Sequence, residues 1–200
     1  MAKASWALVS PSSGSGNATV NVSSSTHNTG RNARNTILTI TAANVEKQEV
    51  SVLQHGKPEY VDVPETATAA KAGQNVTISG KANSKVLTFT LGSGALQVVI
   101  PNTYIAGGIS TNNGSAITGD PGATAEYNFS IVINVPENET IETLSRQIIV
   151  TDESGNQDMC TLTQAAGDAT LSVSKNAIEL QYTGEAVSFD VISNTSWTIA

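Results

Sequence analysis

The chain has 200 residues and a formal net charge of −7, with 14% charged and only 4% aromatic residues. That balance excludes a nucleic-acid surface, which needs clustered Lys and Arg. No run of ~18 apolar residues is present to span a membrane as a helix, and the single cysteine, Cys160, rules out an internal disulfide.

Two hundred residues suit one large domain or two of about 100 each. Abundant Thr, Ser, Val, Asn and Gly favour many short strands joined by small-residue turns, an all-β class. Met1-Ala2-Lys3 leads into no hydrophobic signal core, so no secretion signal is expected.

The opening stretch Ser5-Trp6-Ala7-Leu8-Val9 is apolar and strand-like, unlike the frayed polar end of most domains. Residues 17–23 alternate apolar and polar, as a half-buried strand does. Thr26 to Arg34 is a polar turn containing Gly30. Residues 36–41 and 49–54 then form a hairpin, and His55-Gly56-Lys57-Pro58 breaks the pattern. A second unit starts at Glu59, with strands expected at 60–64, 75–79, 86–91 and 96–100. A long Gly/Asn/Thr-rich loop, 102–125, follows. Tyr127, Phe129, Ile131 and Ile133 share one face of the clearest strand. Residues 146–151 and 158–164 make another hairpin. After a linker at 165–169, short strands at 171–173, 178–180 and 186–191 begin a third unit, which closes on Trp197 and Ile199.

Internal repeats organise these elements. The hairpin Arg34 to Gln54 resembles Arg146 to Gln164, Val61 to Thr90 resembles Leu171 to Ala200 with one gap, and Ser5 to Pro11 resembles Ala95 to Pro101. Residues 58–167 therefore read as a complete β-sandwich carrying the long inserted loop. Residues 1–57 read as a second half and 168–200 as a first half of one split sandwich, about 90 residues and seven or so strands. That split domain closes either within the chain or by exchange with a neighbouring subunit. Linkers at 55–60 and 165–170 reach about 20 Å when extended, which favours closure within the chain. Trp6, Leu8, Phe189, Val191, Trp197 and Ile199 are the residues expected to seal it.

Joined in the order 171–200 then 5–54, the end fragments carry Ser196-Trp197, Ser5-Trp6, the turn Ser10-Pro11-Ser12-Ser13-Gly14-Ser15-Gly16, and a last strand ending in Gln54. This text resembles the BACON domain, an immunoglobulin-like sandwich of gut Bacteroidales and of the crAss-like phages that infect them. The resemblance is weaker in the middle unit, where Val86 and Leu96 replace the tryptophans. It implies two immunoglobulin-like sandwiches, one circularly permuted or strand-exchanged, and a role in phage virions or in carbohydrate binding.

The residues offer no enzyme. His27 and His55 lie in turns without a spaced partner, Asp152, Glu153 and Asp158 surround a hairpin tip without the spacing of a calcium loop, and Cys160 reads as a buried strand residue. No catalytic, cofactor or metal site is expected. Phe89, Phe129, Phe189, Tyr127 and Tyr182 fall in phase with aliphatic strand neighbours and read as core, leaving Tyr60 and Tyr104 as the aromatics free for a sugar. Long loops are often functional, so Tyr104, Ile105, Ile109 and Ile117 in the 102–125 loop are the candidate docking residues. The expectation is a non-enzymatic structural protein. It would be an auxiliary or decoration capsid protein, or a head-fibre-type protein, that binds the major capsid protein or other virion proteins. Homo-oligomers by half-domain exchange, virion assembly in the bacterial cytoplasm, and no nucleic-acid or membrane partner belong to the same expectation. The alternative is a carbohydrate-binding module attached to glycans.

Overall fold

The computed structural model describes residues 2–200, and the protein is all-β. Fifteen strands run in chain order: β1 Ala7–Ser10, β2 Asn21–Ser24, β3 Arg34–Ile40, β4 Gln48–Gln54, β5 Val61–Asp62, β6 Thr66–Ala69, β7 Gln74–Ala82, β8 Leu87–Gly94, β9 Thr103–Ala106, β10 Ile109–Asn112, β11 Tyr127–Val135, β12 Leu144–Asp152, β13 Gln157–Gln164, β14 Leu171–Val173 and β15 Val191–Ser193. Among the described residues no helix is long and apolar enough to cross a membrane.

The middle of the chain is a two-sheet sandwich. One sheet has the order β10-β9-β11-β7-β5 and the other β6-β13-β12-β8. Period-two alternation explains why they close on each other. Tyr127, Phe129, Ile131 and Ile133 point inward from β11, as do Val76 and Ile78 from β7. The second sheet answers with Leu87, Phe89, Ile148, Val150, Cys160 and Leu162, each at most 2% exposed. The Phe89 ring meets Phe129 edge-on at 5.8 Å and Tyr104 at 4.8 Å, within the favourable range for aromatic pairs.

The 102–125 segment is ordered rather than a loose loop. Gly107 and Gly108 both take positive φ, 56° and 84°, the backbone a tight two-residue hairpin requires. The hairpin β9-β10 they close extends the first sheet beyond β11, and a one-turn 3-10 helix, Pro121–Ala123, follows. Leu96 to Ile100, expected as a strand, is irregular although Leu96 and Val98 are buried. Leu96 is held by the Ser145 carbonyl, which accepts its N–H at 2.9 Å, and by Arg146, whose Nε donates to the Leu96 carbonyl at 2.9 Å.

The flanking segments form three separate two-stranded sheets: β1-β2, β3-β4 and β14-β15. Among the described residues no hydrogen bond joins residues 2–57 to residues 168–200. Closure within one chain, favoured from linker reach, is therefore not the arrangement adopted. The linkers are not extended; each is folded into a joint. The first fragment meets the end of the sandwich formed by Asn83, Asp120 and Glu126, while the second meets the end formed by Lys71 and Glu139. Nine-residue strands such as β7 separate those ends, roughly 30 Å.

Candidate functional site

Two features of the fold stand out: the joints between modules and the exposed apolar residues of the end fragments. The hairpins β3-β4 and β12-β13 share one register, since Arg34 faces Gln54 as Leu144 faces Gln164. Arg34 thus corresponds to Leu144, two residues before the Arg146 suggested by the sequence repeat. Around these hairpins the same polar joint is made twice, about 110 residues apart.

At the first joint the Asn28 amide donates to the carbonyls of Asn32 and His55, at 2.8 and 3.2 Å. At the second, the Asn138 amide donates to Glu142 and Ala165, at 2.8 and 3.0 Å. The Lys57 amide donates to Gly30 at 2.9 Å, and the Gly167 amide to Thr140 at 2.7 Å. Asn83 then ties the first linker to the sandwich. Its amide donates to the carbonyls of Thr29, Lys57 and Pro58 at 3.1–3.2 Å, and its Oδ1 accepts the Tyr60 N–H at 3.1 Å. Asn194 repeats this, donating to Glu139 and Asp168 at 3.0 and 2.8 Å and accepting from Thr170 at 2.9 Å. Both joints need glycine. A Cβ on Gly56 would strike the Arg31 carbonyl, and one on Gly167 the Asn138 carbonyl.

The first joint carries an extra clamp. Arg31 reaches Asp120 at 2.6 Å, Glu59 at 3.1 Å and the Asn83 carbonyl at 2.6 Å, with its side chain only 17% exposed. The hydrogen bond that Arg31 donates to Asp120 holds the guanidinium firmly charged, outweighing the opposing effect of its partial burial. Nearby, the Tyr60 hydroxyl donates to Glu126 at 2.7 Å and Lys57 Nζ sits 3.3 Å above the Tyr60 ring. Burial and then Glu126 raise the Tyr60 hydroxyl pKa, and the same bond lowers that of Glu126.

The exposed apolar residues are the second feature. In the sandwich, Ile148, Val150, Cys160 and Leu162 are fully buried in the core between the two sheets. Their counterparts in β3-β4 are Leu38, Ile40, Val50 and Val52, and here Ile40 is 52% and Val50 48% exposed. On the other fragment Ile178, Leu180, Phe189 and Trp197 are 38%, 65%, 38% and 48% exposed.

The residues expected to seal a split domain are not brought together. Trp6 stacks with Arg34, its ring centroid 4.8 Å from the guanidinium, and Leu8 is exposed beside it. Phe189, Val191, Trp197 and Ile199 belong to the other fragment, on the far side of the sandwich. The docking expectation for the 102–125 segment divides. Tyr104 and Ile117, each 2% exposed, are core residues and cannot dock a partner, because inward alternation on β9 turns Tyr104 onto Phe89. Ile105 and Ile109 remain exposed on the edge hairpin. Neither tyrosine read as free is available: Tyr104 is buried, its hydroxyl pKa raised by burial to about 12, and Tyr60 is taken by Glu126 and Lys57. Tyr182, read as core, is instead fully exposed beside the turn at Gly184.

No cluster of three or more His, Cys, Asp or Glu able to hold a metal exists among the described residues. Asp152 is 5% exposed and caps its hairpin by accepting from the Asn156 backbone and side-chain amides, at 2.8 and 2.7 Å. Asp158 accepts the Val63 N–H at 2.8 Å. Cys160 is buried, its thiol pKa raised by burial and secondarily by Asp158.

Fold and site together define an all-β protein of serially joined modules. Residues 1–55 match the family model BACON, described as "Putative binding domain, N-terminal". No curated protein matches the chain. Among six matching solved chains is an NMR structure of a protein from Bacteroides thetaiotaomicron, at 16% identity and a TM-score of 0.29 over 56% of this chain and 90% of that one.

Proposed function

We propose that the protein is a non-enzymatic structural and binding component, and that it decorates a phage virion by attaching to capsid protein. The observation that carries this reading is the use made of buried polar groups. Asn28, Asn83 and Asn138 are at most 9% exposed, and every one holds backbone at a joint between modules. Buried polar residues spent on joints suit a protein that holds its modules in line and works through their surfaces. The virion assignment rests on the likeness of the end fragments to phage BACON domains.

Co-purification with the major capsid protein at fixed stoichiometry is the test. Recovery at a constant ratio supports the reading, and failure of purified capsids to retain the protein overturns it. The fully exposed ring of Tyr182 favours a second reading, sugar binding. Glycan-array binding that Tyr182→Ala abolishes would establish that reading instead.

A further inference from the structure

We propose that the chain pairs with a second copy of itself along the edge of β10, so that the five-stranded sheet continues across a twofold axis at Ser110. This surface belongs to the middle sandwich and lies apart from the joints, and the inference goes beyond attachment to a capsid.

The four sheet edges of the sandwich are treated differently. A bare edge invites another strand, and folds blunt it with charge, proline, short length or a cover. β5 has only two residues, carries Asp62 and runs into Pro64. β6 follows Pro64-Glu65, and its Thr68 carbonyl accepts from the Gln74 side-chain amide at 3.5 Å. β8 is covered by the chain that follows β10. There Asn113 Oδ1 accepts the Phe89 N–H at 2.8 Å, Asn113 Nδ2 donates to the Phe89 carbonyl at 3.0 Å, and the Gly114 N–H donates to the Leu87 carbonyl at 3.0 Å. β10, Ile109-Ser110-Thr111-Asn112, has none of these devices, and among the described residues its only strand neighbour is β9.

The phase of the ladder identifies the free backbone groups. Ile109 faces Ala106 across the two-residue turn, Thr111 faces Tyr104, and the Asn113 N–H donates to the Asn102 carbonyl at 2.8 Å. Bonded and non-bonded pairs alternate in an antiparallel ladder, so Ser110 and Asn112 turn their backbone groups away from β9. The Asn112 carbonyl takes the Ser115 N–H at 3.0 Å, which leaves Ser110 with both its donor and its acceptor open. Such a residue can exchange two bonds with its own copy across a twofold axis. That register sets Ile109, 45% exposed at the rim of the core, opposite the second copy's Thr111, a cross-strand pair of two β-branched side chains.

Charge selects a second copy as the partner. No charged residue occurs from Val86 to Gly119, the stretch that builds β8, β9 and β10, although 14% of the chain is charged. Each copy carries a net charge of −7, so two copies repel wherever their carboxylates meet. The β10 edge lets them touch without that repulsion, whereas a strongly charged partner would find no counter-charge. Both copies use the same patch, so the contact closes as a dimer and does not propagate.

The test is sedimentation velocity on the full chain, with amide exchange at Ile131 on β11 reporting that the sandwich is intact. The wild type is expected to shift from 20.7 kDa to twice that mass as concentration rises, and the Ser110 amide to become protected with it. Ser110→Pro removes an N–H that the single chain leaves unused, which an edge strand tolerates, and should abolish the dimer. Ser110→Lys and Ser110→Asp each set like charges opposite one another and should weaken the dimer about fivefold. Their equimolar mixture, with Lys opposite Asp, should recover the wild-type affinity. A wild type that stays monomeric up to about 200 µM, two orders above a micromolar dissociation constant, overturns the proposal. So does a dimer that survives Ser110→Pro, a mixture no tighter than either charged variant alone, or a species larger than a dimer.

Discussion

Replacing Asn83 by alanine probes the joint where it is most buried. The side chain is 0% exposed and makes four contacts, three to backbone carbonyls and one from the Tyr60 amide. Each such bond contributes about 0.5–1.5 kcal/mol net, and buried groups left without partners carry a further penalty, so the loss works out at about 2–5 kcal/mol. Asn194→Ala removes a similar set of bonds at an exposed position, where water replaces them, and should lose about 1 kcal/mol or less. Urea unfolding of both variants measures the difference, and amide exchange at Lys57 and Glu126 reports whether the joint has opened. Equal losses in the two variants, or a loss under about 1 kcal/mol for Asn83→Ala, would refute the claim that burial makes this asparagine the pin of the joint.

The remaining expectations concern single residues. Tyr104→Ala should destabilise the protein by about 3–5 kcal/mol in chemical unfolding, as a core aromatic does, whereas a residue that only docked a partner would leave stability unchanged. Glu126 has its folded-state pKa lowered chiefly by the Tyr60 hydroxyl. Its stabilising contribution is therefore present above the ordinary carboxylate pKa and is lost as pH falls through the folded-state value. Tyr60→Phe should raise the Glu126 pKa in a carboxyl NMR titration, and an unmoved pKa would contradict that cause. Cys160, buried with a raised pKa, should react with iodoacetamide only through unfolding, so rapid labelling of the native protein would place it at the surface.

Strong alternation made part of this fold readable in advance. The facing rows of β3-β4 and β12-β13 and the inward face of β11 were visible as period-two patterns, and the repeat between the hairpins followed from them. β6 was not, because Thr66-Ala67-Thr68-Ala69 alternates between two small residues with little hydrophobic contrast. β9 and β10 were hidden by the glycines that make their turn possible: a segment rich in Gly, Asn and Thr reads as a loop even when Tyr104 and Ala106 alternate inward. The joint residues escaped for a similar reason. An asparagine in a turn looks like ordinary turn chemistry, and only the three-dimensional partners of Asn28, Asn83, Asn138 and Asn194 show that one joint is built twice.

Amide hydrogen exchange at the first joint, with Asn83→Ala beside the wild type, tests most directly whether buried asparagines hold the modules in line. The account predicts that the Lys57 and Tyr60 amides, bonded to the Gly30 carbonyl and to Asn83 Oδ1, are protected in the wild type and exchange freely in the variant, while Ile131 on β11 stays protected in both. Equal protection of Lys57 and Tyr60 in the two proteins would contradict it.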